Sequence, residues 1–98
     1  MIVKIHESKQ GDIVAVIDTD LLGKIIEDED FQLDLTSNFY KGEERATDEI
    51  GDLMRNAHGI NIVGEKTIAL AIEEGLIDED MVKRIGGIPY YQGSVDIN

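Results

Sequence analysis

Residues 59–67, GINIVGEKT, have the spacing of an imperfect phosphate-binding loop, in which two glycines precede a lysine and a threonine. In such a loop the four residues between the glycines stay flexible, so that their N–H groups surround phosphate oxygens, and the lysine directly follows the second glycine. Here the four middle residues favour a strand, and Glu65 separates Gly64 from Lys66. The sequence therefore excludes a nucleotide-binding loop of this kind.

A more general site remains at the same joint, where a predicted strand ends at Gly64 and a predicted helix begins at Glu65 or Lys66. The free N–H groups and the dipole at the start of a helix favour an anion. A last predicted strand leads into Gly86 and Gly87, and open α/β sheets bind ligands at the edge where their strands end. We expect both glycine turns at one edge, and the candidate ligand-binding or partner-binding residues are Asn61, Gly64, Glu65, Lys66, Thr67, Gly86, Gly87 and Pro89.

Each of these residues also has a purely structural interpretation. Gly64 would then be a tight joint, Glu65 and Thr67 would be capping residues of the first helical turn, and Gly86-Gly87 would reverse the chain. Asn61 interrupts an apolar strand, and a buried amide without a partner would cost about 1–3 kcal/mol. Its side chain either bonds the backbone of a neighbouring loop or faces a ligand at the end of the strand.

Three other groups of side chains have chemistry to consider. His6 lies next to Glu7 and could act with Glu7 or Asp18 in acid–base catalysis, or it is an exposed strand histidine without a role. The acidic run Glu27–Asp30 could hold Mg²⁺ or Ca²⁺, but it lacks the spacing of a calcium loop and also fits a solvated loop. His58, far along the chain, ends a predicted helix. We assign no catalytic residue, metal or cofactor, and we lean against an enzyme.

The charge of the chain limits its partners. Nine Lys and Arg against 21 Asp and Glu give a net charge of −12, which repels nucleic-acid backbones and anionic membranes. A partner with a basic surface fits better, and a homo-oligomer stays open. Without cysteine there is no disulfide or thiol nucleophile. No apolar run reaches the ~18–20 residues of a membrane span, and the N-terminus lacks a signal-like apolar region, so we expect a cytoplasmic protein.

Hydrophobic periodicity predicts the elements. Residues 1–7 and 12–18 read as antiparallel strands around a turn at 8–11, and residues 31–35 as a further strand with one exposed face. Thr47 is predicted to cap a helix whose buried stripe is Ile50, Leu53, Met54 and Ala57. A short buried strand at 60–63, a second helix ending near Gly75, and a last strand near 82–85 follow.

A chain of 98 residues can form only one core, so we expect a single α+β domain covering residues 1–98. Residues 1–36 should be mainly antiparallel strands, residues 47–85 helix-strand-helix-strand, and residues 86–98 a glycine-rich tail. This order predicts a two-layer α/β sandwich, a mixed sheet of about five to six strands with two helices on one face. The strands at 60–63 and 82–85 should run parallel to each other.

Four segments of the chain together resemble a known family: MIVKIHE, VAVIDTDLLGK, INIVGEKTIALAIEEGLIDED and RIGGIPYYQ. Their most specific parts are N-I-V-G-E-[KR]-[ST] at 61–67 and I-G-G-[IV]-P at 85–89. The resemblance is to the archaeal domain of unknown function four-two-four (DUF424), over nearly the whole chain. It implies a small two-layer α/β sandwich in an archaeal cytoplasm and carries no activity or catalytic residues.

Two functional hypotheses follow from these observations. The first is a non-enzymatic accessory or adaptor protein in archaeal information processing, which binds a macromolecular partner through its acidic surface and the Gly64/Gly86 edge. The second is an enzyme or sensor for a small anionic or nucleotide-like ligand at the same edge. In the second, Lys66 and the helix start would hold the anion, and Glu65 would be the candidate base.

Overall fold

The computed structural model describes residues 1–95 and contains eight strands and two α-helices in that range. In chain order they are β1 (Ile2–His6), β2 (Ile13–Ile17), β3 (Ile25–Glu27), β4 (Gln32–Asp34), β5 (Glu43–Glu44), α1 (Thr47–Arg55), β6 (Gly59–Val63), α2 (Glu65–Glu73), β7 (Lys83–Ile85) and β8 (Ile88–Ser94). The α+β class predicted from the sequence is confirmed. Neither helix has the length or the apolar run needed to cross a bilayer.

Six strands form one mixed sheet in the order β5-β1-β2-β6-β8-β7. β2 and β6 are parallel, and the other neighbouring pairs are antiparallel. Because β8 runs antiparallel to both β6 and β7, these two strands point the same way, as expected from the sequence. The carboxyl ends of β2, β6 and β7 therefore all lie at the same edge of the sheet.

Both faces of the central strands are covered because their residues are apolar on both sides. Val14 and Val16 of β2 face the two helices, which bury Ile50, Met54 and Ile68 in the same core. Alternation along the strands turns the intervening residues to the opposite face. The two helices thus lie on one face of the sheet, as predicted.

The second face is covered by residues 19–42, which connect β2 to β5. Leu21, Leu35 and Tyr40 from this segment pack on Ile17 and Val63. Within it, β3 and β4 form a separate two-stranded sheet, which we call the arm (residues 24–35). The strand predicted around residues 31–35 therefore exists, but it pairs with β3 and not with the six-stranded sheet.

The prediction that residues 86–98 form a glycine-rich tail is wrong for residues 86–95, which the structure describes. Residues 88–94 form β8, which inserts between β6 and β7. Gly86 (φ 54°) and Gly87 (φ 81°) are the two central residues of a tight hairpin that joins β7 to β8. Two-residue hairpin turns of this kind need positive φ at both central positions, which glycine adopts readily. The two glycines therefore form the turn between two paired strands and do not begin a tail. The last part of the predicted tail, 96–98, lies outside the described residues.

Both ends of α1 differ from the sequence analysis. The helix ends at Arg55, so the prediction that His58 ends it is wrong. Thr47 is the first residue of α1, and Ala46 occupies the capping position without a side-chain bond, so the prediction that Thr47 caps this helix is wrong. Gly75 follows the last residues of α2 with φ 75°, in the left-handed conformation predicted for it.

Candidate functional site

Two chain bends lie side by side where β2 and β6 end. β2 and β6 are neighbouring parallel strands, so Asp18 and Gly64, which follow them, come out at the same edge. The N–H of Gly64 donates to the carbonyl of Pro89 (2.9 Å), just after the Gly86-Gly87 hairpin. We call this edge the rim; it contains Asp18, the joint from β6 to α2 and the hairpin from β7 to β8.

Asp18 caps the start of α2 from the neighbouring strand. The backbone N–H groups of Lys66 and Thr67 donate to its Oδ2 (3.0 Å) and Oδ1 (2.8 Å), and the Thr67 hydroxyl donates to Oδ1 (2.7 Å). Asp18 is 7% exposed and Thr67 is fully buried. The N–H groups of Lys66 and Thr67, which would attract a ligand anion at this helix start, are therefore bound by the protein's own carboxylate.

Gly64 is required by this arrangement. Its φ of 116° with ψ of 154° belongs to a region that essentially only glycine adopts. A Cβ built on Gly64 would also lie 2.5 Å from Oδ1 of Asp18, too close for any non-bonded carbon. The backbone must therefore stay bare at residue 64 so that the Asp18 carboxylate can lie against it.

Arg84 joins the start of α2 to the hairpin. Its Nη1 donates to Oε1 of Glu65 (3.1 Å) and to the carbonyl of Gly87 (3.0 Å). The Arg84 and Glu65 side chains are both more than half exposed, so the ion pair contributes little to stability, about 0–1 kcal/mol. Glu65 is thus engaged with an arginine that sequence reasoning did not link to it, since 19 residues separate them.

Lys66 borders an open cavity of about 400 Å³ beside Asp18, which Met1, Thr19 and Asp20 also line. Its side chain is exposed, and the carboxylates of Asp18 and Asp20 border the same space. A small anion in this cavity would meet the carboxylates of Asp18 and Asp20 beside the Lys66 ammonium group, while the N-terminal ammonium group of Met1 is already paired with Glu44. The electrostatics therefore do not favour the anion ligand hypothesised for this edge.

Asn61 does not lie at the rim. It is the central residue of β6, opposite Ala15 and Gln92, and its Oδ1 accepts a hydrogen bond from the Tyr40 hydroxyl (2.9 Å). This geometry supports the structural interpretation, although the partner is a side chain and not the loop backbone expected. Burial raises the pKa of Tyr40.

Replacing Tyr40 by phenylalanine is expected to lower the free energy of unfolding by about 1 kcal/mol at neutral pH, since Asn61 loses its donor. The raised pKa adds a pH dependence. The contribution of Tyr40 is complete below its ordinary pKa of 10.0 and declines as the pH rises through the higher folded-state pKa. Urea unfolding at stepped alkaline pH should show wild type losing stability faster than Tyr40→Phe above pH 10. Parallel curves for the two proteins would contradict this assignment.

The tip of the arm also reaches the rim. The N–H of Gly86 donates to Oδ2 of Asp28 (3.4 Å), while Oδ1 of Asp28 accepts from the N–H groups of Asp30 and Phe31 (3.1 Å each). These bonds hold the pKa of Asp28 below its ordinary value, the bond from Asp30 having the largest effect. The sequence analysis treated Glu27–Asp30 as a loop and did not connect it with Gly86, because no local pattern links residues 58 positions apart.

The two histidines lie away from the rim. Nε2 of His6 is 2.9 Å from the carbonyl of Phe39, and its ring stacks on the Phe39 ring at 4.1 Å between centroids. His6 pairs with Ile13 at the start of β2, whereas Asp18 follows its end, roughly 16 Å away. The pairing of His6 with Asp18 considered from the sequence is therefore wrong. Within residues 1–95, no three His, Asp or Glu side chains come together in a way that could hold a metal ion.

The structure thus brings most of the predicted site residues to one rim. Those at the rim are Gly64, Glu65, Lys66, Thr67, Gly86, Gly87 and Pro89. Asn61 lies inside the sheet. Sequence reasoning did not place Asp18, Asp28 and Arg84 at this rim, although their bonds join the bends; it considered Asp18 only with His6, and Asp28 only as part of an acidic run. The only sequence signal for Asp18 was its place directly after a buried strand.

Comparison with known proteins supports the fold. A family model described as "Protein of unknown function (DUF424)" matches residues 5–93. The chain is similar to a solved structure described as an uncharacterized conserved protein from Methanopyrus kandleri, with 26% identity and a TM-score of 0.83. That match covers 96% of this chain and 90% of the other. No curated protein matches the chain.

Proposed function

Since this chain belongs to the DUF424 family of proteins of unknown function, we propose a function from its own contacts and charges. In this proposal the protein is a non-enzymatic accessory protein that binds a macromolecular partner with a basic surface. The contact surface is the tip of the arm at the rim, residues 27–31, with the adjoining Gly86-Gly87 hairpin. The observation that carries this proposal is the exposure of Phe31.

Phe31 is 67% exposed, the largest exposed fraction among the exposed large hydrophobic residues of the described chain. Its backbone N–H is bonded to Asp28, and its carbonyl accepts a bond from the N–H of Asp28 (3.0 Å). The aromatic ring is therefore presented on a turn whose backbone is fixed before any partner arrives. Fixed aromatic side chains are typical anchors of protein interfaces, because little conformational freedom is lost on binding.

The charges around Phe31 specify the partner. Four carboxylates, Glu27 to Asp30, directly precede Phe31 in the chain and are exposed. Asp28 is ionised at neutral pH, since its bonds lower its pKa further. An aromatic ring surrounded by carboxylates complements an apolar contact within a basic surface, and the attraction accelerates association at low salt.

The second hypothesis, a small anionic ligand at the same edge, has weaker support. Asp18 accepts the bonds from Lys66 and Thr67 that such a ligand would need. Thermal-shift measurements with inorganic phosphate and nucleotides address it directly, because a ligand at 100 times its dissociation constant adds about 2.7 kcal/mol of stability. A shift of that size in wild type would favour the ligand over the proposed partner.

Replacing Phe31 by alanine tests the proposal. We expect the variant to lose about 2 kcal/mol of partner affinity, roughly thirtyfold, as for an interface anchor. Its free energy of unfolding should change by no more than about 0.5 kcal/mol, because the ring is exposed. The measurement is affinity purification of the tagged protein from native lysate at low and physiological salt, followed by titration of the recovered partner.

Met81→Ala is the matched control. Met81 is also exposed (47%) and also follows a run of acidic residues, Asp78 to Asp80, but it lies before β7, at the other end of that strand from the hairpin. It should retain wild-type binding. Recovery of the protein alone at both salt concentrations, or equal partner recovery by wild type and Phe31→Ala, would refute the proposed function.

A further inference from the structure

A groove of about 500 Å³ runs between the outer edge of β1 and helix α1, at the opposite side of the sheet from the arm tip. Four strand spacings separate β1 from β7, roughly 20 Å. The groove has three features that point to one kind of ligand. They are an open strand edge, an apolar floor and positive charge within an acidic molecule.

The open edge lies at Ile5. β5 pairs only with Ile2 and Val3 of β1, and the residue before it, Gly42, lies against the Val3–Lys4 peptide without pairing with Ile5. The N–H of Arg45 donates to the carbonyl of Met1 (3.2 Å), so the odd-numbered residues of β1 direct their backbone groups outward, away from β2. Within residues 1–95 the outward N–H and C=O of Ile5 make no backbone bond. The unpaired N–H and C=O of Ile5 can form hydrogen bonds with the backbone of one added strand.

The floor of the groove is apolar. Ile5 is 42% exposed, and Leu53 of α1 is partly buried beside it. Both residues line the same groove as the open backbone of Ile5. A side chain from an added strand can therefore fill this space while its backbone pairs with β1, as in other peptide sites between a strand and a helix.

The charge at this groove differs from that of the rest of the molecule. Lys41 and Arg45 line it against the two carboxylates of Glu43 and Glu49, and Lys4 borders it from β1, in a chain whose net charge is −12. Arg45 is paired with Glu43 and Glu49. Neither Lys4 nor Lys41 forms an ion pair within residues 1–95.

We propose that this groove binds an extended acidic peptide segment of a partner protein, which adds a strand to β1 at Ile5. The peptide places an apolar side chain on Ile5 and Leu53 and a carboxylate near Lys41. This site is distinct from the arm tip, since its charge selects acidic and not basic chemistry. Lys41 and the Ile5 backbone are the groups that determine this specificity.

The first test uses the free protein and amide hydrogen exchange. The amide of Ile5 should exchange about tenfold or more faster than those of Lys4 and His6, which face β2. If the Ile5 amide is as protected as its neighbours, the edge is closed and the proposal is wrong.

The second test is selection of linear peptides from a random library displayed on phage, with the full-length protein as target. Enriched peptides should be acidic, with apolar residues at alternate positions. In two-dimensional NMR, an enriched peptide should shift the signals of Ile5, Lys41 and Leu53. Lys41→Glu should weaken its binding about tenfold or more, whereas Lys83→Glu, at an exposed position on the opposite edge strand, should not.

Ile5→Pro removes the outward N–H while leaving the bonds between β1 and β2, and proline is tolerated on such an edge. This variant should keep the wild-type unfolding transition and lose peptide binding. Absence of any enriched peptide, or binding unchanged by both Ile5→Pro and Lys41→Glu, would overturn the proposal. A concentration-dependent dimer whose NMR shifts centre on Ile5 would also overturn it, in favour of a second copy of the chain as occupant.

Discussion

Gly64→Ala is expected to lower the free energy of unfolding by about 3 kcal/mol or more. Alanine at residue 64 would have to adopt a backbone conformation that is essentially restricted to glycine, which costs about 1–3 kcal/mol. Its methyl group would also displace the Asp18 carboxylate, because a Cβ there would lie 2.5 Å from Oδ1. Urea unfolding followed by circular dichroism measures the loss.

Gly75→Ala separates these two causes. Gly75 also has positive φ (75°), but no atom lies within 4 Å of a Cβ at that position. It should therefore cost only the backbone term, about 1 kcal/mol. If Gly64→Ala were no more destabilising than Gly75→Ala, the packing of Asp18 against residue 64 would be refuted.

Asp18→Ala is expected to destabilise the protein by about 3 kcal/mol. It removes the acceptor of three hydrogen bonds and leaves the buried hydroxyl and N–H of Thr67 without a partner, at about 1–3 kcal/mol per group. Asp18→Asn is the matched control. It keeps the shape and one acceptor oxygen but removes the negative charge from the helix start, so it should cost about 1–2 kcal/mol. The same urea unfolding assay compares the three proteins.

The alanine variant also tests whether Asp18 substitutes for a ligand anion. With the carboxylate removed, the N–H groups of Lys66 and Thr67 become free, and inorganic phosphate or sulfate should raise the stability of Asp18→Ala measurably. Wild type should show no such effect. If both proteins respond equally to phosphate, the anion binds elsewhere, and the structural account of this helix start fails.

These two residues explain why the joint at 61–67 has such a particular sequence. Asn61 accepts a hydrogen bond from the Tyr40 hydroxyl, and Gly64 leaves room for the Asp18 carboxylate. Thr67 donates two of the three hydrogen bonds that Asp18 accepts. Each residue type is thus accounted for by contacts within the chain. The two surfaces that we propose for partners are the arm tip and the groove beside β1, which differ in charge and lie at opposite edges of the sheet.

The sequence alone predicted most of the local structure. The alternation of apolar residues in 1–7 and 12–18 indicated paired strands, and the spacing of Ile50, Leu53 and Met54 indicated a helix. A strong hydrophobic period predicts these elements well, because a helix or strand that buries one apolar face must have apolar residues at that period. The prediction failed at 88–94, where three glycines near the segment and its polar residues concealed a strand that completes the sheet.

By itself, the sequence determined the acidic charge, the α+β class, and the placement of two glycine bends at one edge. It did so because strand and helix periods, turn glycines and net charge are local or additive properties. Only the tertiary structure decided that Asp18 occupies the helix start, that Asp28 meets Gly86, and that Ile5 is left open at the edge. These depend on contacts between residues far apart in the chain, such as Asp18 with Thr67 across 49 positions, for which no short pattern provides a signal.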